Sequence, residues 1–380
     1  MVASKGLVGL RPAPAEAARV TSPPYDVIKP GTPLEAALQS NDASVYHVIL
    51  GSDPKSSLDR LLREGLLVVD DTPAYYVYQQ RWDGGERTGV FAALAVTPYE
   101  DKQVIRHEKT FDDKVAGRIA LARTTEHTFG PVFVLTRAPI RAFLERAKAD
   151  EPVYRFTSTF DGGGDLDGID NAVWRVEETS ELGRELGAAL ATQPVYIADG
   201  HHRYHAALKN EQSHFLSYIA EDAKILAYNR VVRGVMPFAD IIGTLDLEET
   251  PSFETPPKHH FALYHEGKSY RLAAKDVPSD VVGRLDCAIL ERELYPKLGL
   301  RHDMIADAAH FDYYSEAALD QMKAVVDRGD YDVAIALAPV SLEELMAVAD
   351  AGLTNSEIVM PEKSTFFAPK ILTGLVVLRH

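Results

Sequence analysis

Two short hairpin signals restrict this chain more than any other feature. "AYYVYQQRW" and "RTGVFAALAVTPY" flank "DGGE", and "HHFALYHEGKSYRLAA" turns about "EGKS". A tight turn between two β-prone runs makes the strands antiparallel, because a parallel partner needs a crossover of about a dozen residues. A regular doubly wound sheet is therefore excluded over these stretches. "PVFVLT", "PVYIADG" and "YDVAIALAP" read as buried strands. "SSLDRLLREGLLV", "KVAGRIALARTTEHT", "PIRAFLERAKAD" and "SLEELMAVADAG" read as helices from their apolar spacing. "TSELGRELGAALAT" is a further helix, capped by Thr179 or Ser180. With no repeat at a fixed period, the mixture predicts an α+β fold with mixed sheets and antiparallel hairpins. The 380 residues suffice for more than one domain. The expected division is 1–240, an N-terminal α+β region, and 241–380, a C-terminal α+β region able to pack with the first as one unit.

Composition narrows the function. A formal net charge of −16 argues against broad nucleic-acid binding, which needs a basic face. Cys287 is the one cysteine, so neither an internal disulfide nor a cysteine zinc cluster can form; it reads as a helix core residue. No apolar run is long enough to cross a bilayer, and "MVASKGLVGLRPAPAEAARV" lacks the pattern of a signal peptide. A cytoplasmic protein without a membrane partner is expected. The polar loop "DGGGDLDGID" lacks the glutamate and acid spacing of a calcium loop and reads as a solvated turn.

Against this acidic background, "VYIADGHHRYHAAL" collects three histidines and an arginine where a strand runs into a helix. The first turn of a helix has unpaired N–H groups and a partial positive charge, so an anion fits there. Gly200 lets the backbone turn or approach a ligand closely. Arg203 adds a planar fork suited to phosphate oxygens, and His201 and His202 can donate. Asp199 is placed to hold a cation or orient a hydroxyl. Two other readings stay open: Asp199 as a helix cap beside surface histidines, and His201 with His205, at i and i+4, as metal ligands lacking a third.

These residues also carry a resemblance. "DGHHRYHA" resembles the Gly-x-His-Arg signature of the ParB/sulfiredoxin superfamily, whose domains bind nucleotide phosphates at a helix N-terminus; a free serine kinase there has a similar Asp-Gly-His-His-Arg segment. Over almost its whole length the chain resembles a bacterial and archaeal family, the DUF family numbered 1015. The likeness rests on "RPAPAEAARVTSPPYDVI", "RHEKT", "IADGHHRYHAAL", "YNRVV" and "MPEKSTFFAPKILTGLVV". The resemblance implies a ParB/sulfiredoxin-like nucleotide-binding region and no activity of its own.

Other participants are expected from local chemistry. In "VIRHEKTF", strand alternation sends Arg106 and Glu108 to one face and His107 and Lys109 to the other, with Thr110 beyond. A carboxylate beside a histidine suits general base work on a hydroxyl, and a solvated ion-pair cluster is the plainer alternative. "PEKSTFFAPK" offers Lys363, Ser364, Thr365 and Lys370 without the glycines of a Walker loop. "SPPYDVI" offers Ser22, Tyr25 and Asp26, and "AYNRVVRG" offers Asn229 and Arg230 as a second anion contact.

The expectation is nucleotide-dependent phosphoryl transfer to or from a small hydroxylated metabolite, using ATP or ADP and Mg²⁺. His107, Glu108 and Asp199 would be catalytic. Gly200, His201, His202, Arg203, Lys363, Ser364 and Thr365 would hold phosphate. The alternatives are a nucleotide- or metabolite-binding regulator without turnover and a metal-dependent hydrolase or phosphatase; homo-oligomerisation stays open.

Overall fold

Asp83 and Gly84 make a two-residue turn, Gly84 at φ 81°, between β1 (Ala74–Trp82) and β2 (Gly85–Ala95). The Asp-Gly pair suits this, since hairpin turns of the right twist need positive φ. The structure is a computed structural model that describes residues 2–108, 112–160, 166–301, 304–305, 307, 309–361 and 363–380. Lys109, Thr110 and residues 161–165 of the polar loop read as a solvated turn lie outside the described residues.

The hairpin is the middle of a mixed sheet. Following it along the chain are α1 (Asp112–Thr125), β3 (Val132–Thr136), β4 (Val195–Asp199), α2 (His201–Lys209) and β5 (His214–Ala220). The strand order is Val104–Ile105, β4, β3, β5, β2, β1, Asp170–Glu177, Tyr154–Thr157, with Ser4–Lys5 also pairing with β2. β3 and β5 are parallel, as are Val104–Ile105 and β4; the other pairs are antiparallel. "YYVY" in β1 is buried on both faces, which explains its continuous apolar run. Tyr75 and Val77 join the core with Val90, Val134, Ile197 and Leu186. Tyr78 packs with Phe91 and Tyr218 at ring separations of 5.3–5.7 Å. Each fully buried Val or Phe in such a core stabilises the fold by about 1.5–3 kcal/mol. α1 and α2 pack against each other.

A second unit has its own antiparallel sheet. It contains β6 (Tyr228–Val232), β7 (His260–His265), β8 (Lys268–Ala273) and β9 (Val333–Leu337), followed by α3 (Leu342–Gly352). The order is Glu248–Thr250, β8, β7, β9, β6, Phe311–Ser315, every pair antiparallel. The β7–β8 turn is Glu266 and Gly267, both at positive φ. Cys287 is buried, as a core residue should be. The α+β class is thus what the chain forms. Among the described residues, no helix is long and apolar enough to cross a membrane.

The two compact units are residues 1–223 with 369–380, and residues 224–368. This differs from a single cut at 240, because residues 369–380 return to the first unit. The Pro369 carbonyl accepts from Arg87, the Lys370 carbonyl accepts from Gln80 at 2.9 Å, and Leu378–Arg379 pairs with His127–Thr128. Local pattern cannot show such a return.

Candidate functional site

β4 ends at Asp199 and α2 begins at His201, as the strand-to-helix pattern implied. Gly200 joins them at φ 102°, ψ 29°, and no side chain caps the helix. A Cβ on Gly200 would stand 2.8 Å from Nε of Arg203. Glycine is needed here because the Arg203 side chain folds back across its own helix start.

Arg203 is fixed from two sides. Its Nη1 donates to the Pro131 carbonyl, and its Nη2 lies 3.4 Å from Oδ1 of Asp199. Lys370, 9% exposed, donates from Nζ to Oδ2 of Asp199 at 2.8 Å. Burial pushes the Asp199 carboxyl up, but the charges of Lys370 and Arg203 outweigh it and hold the group well below its ordinary value. Asp199 therefore stays ionised, and the cations it holds are these two side chains.

Beside this clamp lie His107, Glu108 and His201. His107 and His201 are 1% and 3% exposed, with ring centroids 4.5 Å apart and planes at 87°. The His107 backbone N–H donates to Nε2 of His201 at 3.4 Å, while Nδ1 of His201 faces Oε2 of Glu108 at 3.8 Å. Neither ring nitrogen of His107 makes a hydrogen bond of good geometry, though the Ile197 backbone acts on the ring. Burial lowers the His107 imidazole to about 4, against smaller upward pulls from the Ile197 backbone and Asp199. Burial, then His107, takes His201 well below its usual value. Both rings are neutral at neutral pH. Glu108, 26% exposed, keeps one side toward solvent.

An open cleft of about 560 Å³, solvent included, adjoins the corner. Tyr25, Arg118, Phe129, Gly130, Arg203 and Thr373 are among the residues lining it. The Arg118 guanidinium sits 4.1 Å from the centre of the Tyr25 ring. Burial and Asp26 raise the Tyr25 phenol, while Arg203 and Arg118 pull it down. Two guanidiniums therefore reach one apolar-walled cleft.

The structure brings His107, Glu108, Asp199, Gly200, His201 and Arg203 together. His202 is the next residue on the same helix turn. Lys363, Ser364 and Thr365 belong to the second unit, as do Asn229 and Arg230. There Lys363 Nζ lies 5.4 Å and 5.9 Å from the ring centres of Tyr228 and Tyr313, and Ser364 Oγ donates to the Pro361 carbonyl at 2.5 Å. Arg230 is fully buried, with Cζ 5.7 Å from the Tyr313 ring centre. His205 stacks on Tyr99 at 6.1 Å. Among the described residues, the group able to converge on an ion is His107, Glu108 and His201, not His201 with His205. Ser22 is buried, and its hydroxyl donates to the Pro23 carbonyl at 3.0 Å.

Sequence reasoning missed two participants. Arg118 looks like a surface charge on a helix, and nothing local marks it. Lys370 stood in a quoted motif, but its pairing with Asp199 spans 171 positions.

The family profile described as "Protein of unknown function (DUF1015)" matches residues 5–288. The chain belongs to that family. No curated protein matches it. Among solved structures, a free serine kinase mutant in complex with ADP is similar at TM-score 0.40 and 15% identity, covering 76% of this chain and 92% of the kinase. A conserved hypothetical protein from Pyrococcus furiosus gives TM-score 0.38 and 16% identity over 74% of this chain and 92% of its own. C-terminally truncated SbnI from Staphylococcus aureus gives 0.39 and 11% over 75% and 86%. Likeness at these values carries no argument about activity.

Proposed function

We propose that this DUF1015 protein transfers a phosphoryl group between a nucleotide, ATP or ADP, and a small hydroxylated metabolite. The phosphates bind at a ParB/sulfiredoxin-like corner formed by Gly200, His201, His202 and Arg203. What carries the reading is one observation: Arg203 and Arg118 both line the cleft beside a helix start that no side chain caps. Guanidiniums fixed in advance, over amides without intrahelical acceptors, suit an oxyanion. Phosphoryl transfer needs mostly positioning and charge neutralisation, which such a corner supplies. Asp199 and Lys370 hold Arg203 in place.

Mg²⁺ would be shared between the phosphate oxygens and a carboxylate of this site, where it would neutralise phosphate charge, because the ion prefers few protein ligands and several waters. Glu108 is the partly exposed carboxylate near the turn and takes the proton of the acceptor hydroxyl. His107 and His201, neutral and buried, hold that side of the site. Free serine is the first acceptor to assay.

The test is a nucleotide-induced thermal shift followed by product analysis. A ligand at a hundred times its Kd adds about 2.7 kcal/mol of stability, which is readily seen. Arg203→Ala should remove the shift and keep the fold; an undiminished shift takes Arg203 out of the site. Product from a panel of hydroxylated metabolites with ATP or ADP supports the enzyme. A shift with no product from any acceptor makes the protein a nucleotide-binding regulator.

A further inference from the structure

The proposed transfer gives His107 no chemical part. It is a fully buried imidazole whose ring nitrogens make no hydrogen bond of good geometry, and buried polar atoms ordinarily find partners because leaving one unmade is costly. Its ring lies edge to face with His201, and His201 Nδ1 points toward Glu108 at 3.8 Å. One ligand atom from each of His107, Glu108 and His201 falls within 4.8 Å of the others. Two imidazoles and one carboxylate are a donor set that binds transition ions in open, three-ligand sites.

We propose that His107, Glu108 and His201 form a site for one divalent first-row transition ion, zinc before others, with a position left for water or a ligand oxygen. Nitrogen and oxygen donors about 2.0–2.2 Å from zinc stand roughly 3.3 Å apart in a tetrahedron. The three side chains must therefore close by roughly 1.5 Å at the widest separation. Glu108, 26% exposed, is the member open to solvent, and that side is the entry path. Binding at Nδ1 of His201 moves the ring proton to Nε2 and gives up the 3.4 Å contact from the His107 N–H. That contact is long, so little is lost. Magnesium does not suit two imidazoles, since it selects oxygen ligands and water. Zinc here and Mg²⁺ on a nucleotide are separate ions.

The ion site shares its place with the proposed transfer chemistry but does not rest on it. With zinc bound, Glu108 serves as a ligand instead of a proton acceptor. The experiment uses the full chain, stripped by chelator, re-equilibrated with Zn²⁺ alone and counted by mass spectrometry. Co²⁺ replacement reports the geometry by its visible absorption.

One ion per chain is expected, with affinity lowered tenfold or more in both His107→Gln and Glu108→Gln. Circular dichroism of the metal-free variants should match the parent. If His107→Gln does not fold, Glu108→Gln decides alone. Absence of stoichiometric zinc overturns the proposal. So does retention of zinc in Glu108→Gln, or loss of zinc in His205→Ala alone. No nucleotide is present in this assay, so failure of the transfer reading leaves the zinc count unchanged. Failure of the zinc count likewise leaves the nucleotide shift unchanged.

Discussion

Two helices of this chain begin in opposite ways. α3 starts at Ser341, whose hydroxyl accepts the Glu344 N–H at 3.1 Å while the Glu344 carboxylate accepts the Ser341 N–H at 2.8 Å. That capping box uses the orphan donors of the first turn inside the chain. α2 starts at a positive-φ glycine with no side-chain cap, and its neighbourhood holds Arg203, Asp199 and Lys370 instead. The first start is closed by its own side chains, whereas the second has no side-chain cap and has charge assembled around it.

The contrast can be broken most forcefully at Asp199. Asp199→Ala strands Lys370 in a buried position and releases Arg203, and should cost about 3–5 kcal/mol in chemical denaturation. A loss below about 1 kcal/mol would mean that the clamp is not structural.

Glu108→Gln comes next. Turnover should fall about a hundredfold or more, with stability within about 0.5 kcal/mol of the parent. Undiminished turnover would remove Glu108 from the chemistry.

Gly200→Ala tests the turn itself. A side chain at φ 102° that also meets Arg203 should cost about 2 kcal/mol and weaken the nucleotide shift. An unchanged shift would show that Arg203 need not lie across the helix start.

The smallest effect belongs to the other helix. Ser341→Ala should cost about 1 kcal/mol in thermal unfolding and leave any nucleotide response as it was. A changed response would erase the distinction between the two starts.

The corner itself was legible because its signals are local. An apolar run, an Asp-Gly step and a helical period lie within fourteen residues, and β4 and α2 follow them. The hairpins β1–β2 and β7–β8 were legible for the same reason, and of the two caps offered for Glu181–Leu190, Thr179 or Ser180, the structure uses Ser180. What surrounds the corner was not. His107 meets His201 from 94 positions away, across a sheet order that no dipeptide encodes. Arg118 joins Arg203 because α1 packs on α2. Lys363 and Lys370 are seven positions apart in one motif, yet the chain passes from one unit to the other between them. Separating them needs knowledge of the return strand. The helix expected to carry Cys287 has a π-turn at Leu290–Leu294 between Asp286–Ile289 and Tyr295–Leu298, a local rewinding that apolar periodicity does not report.

The lysine that completes the Asp199 clamp has a consequence for synthesis. A ribosome that has made Asp199 reaches Lys370 171 positions later. At ordinary elongation rates that interval is on the order of ten seconds. Throughout it the nascent carboxylate lacks its tighter counter-charge, so the clamp cannot close until the returning residues 369–380 of the first unit have been made.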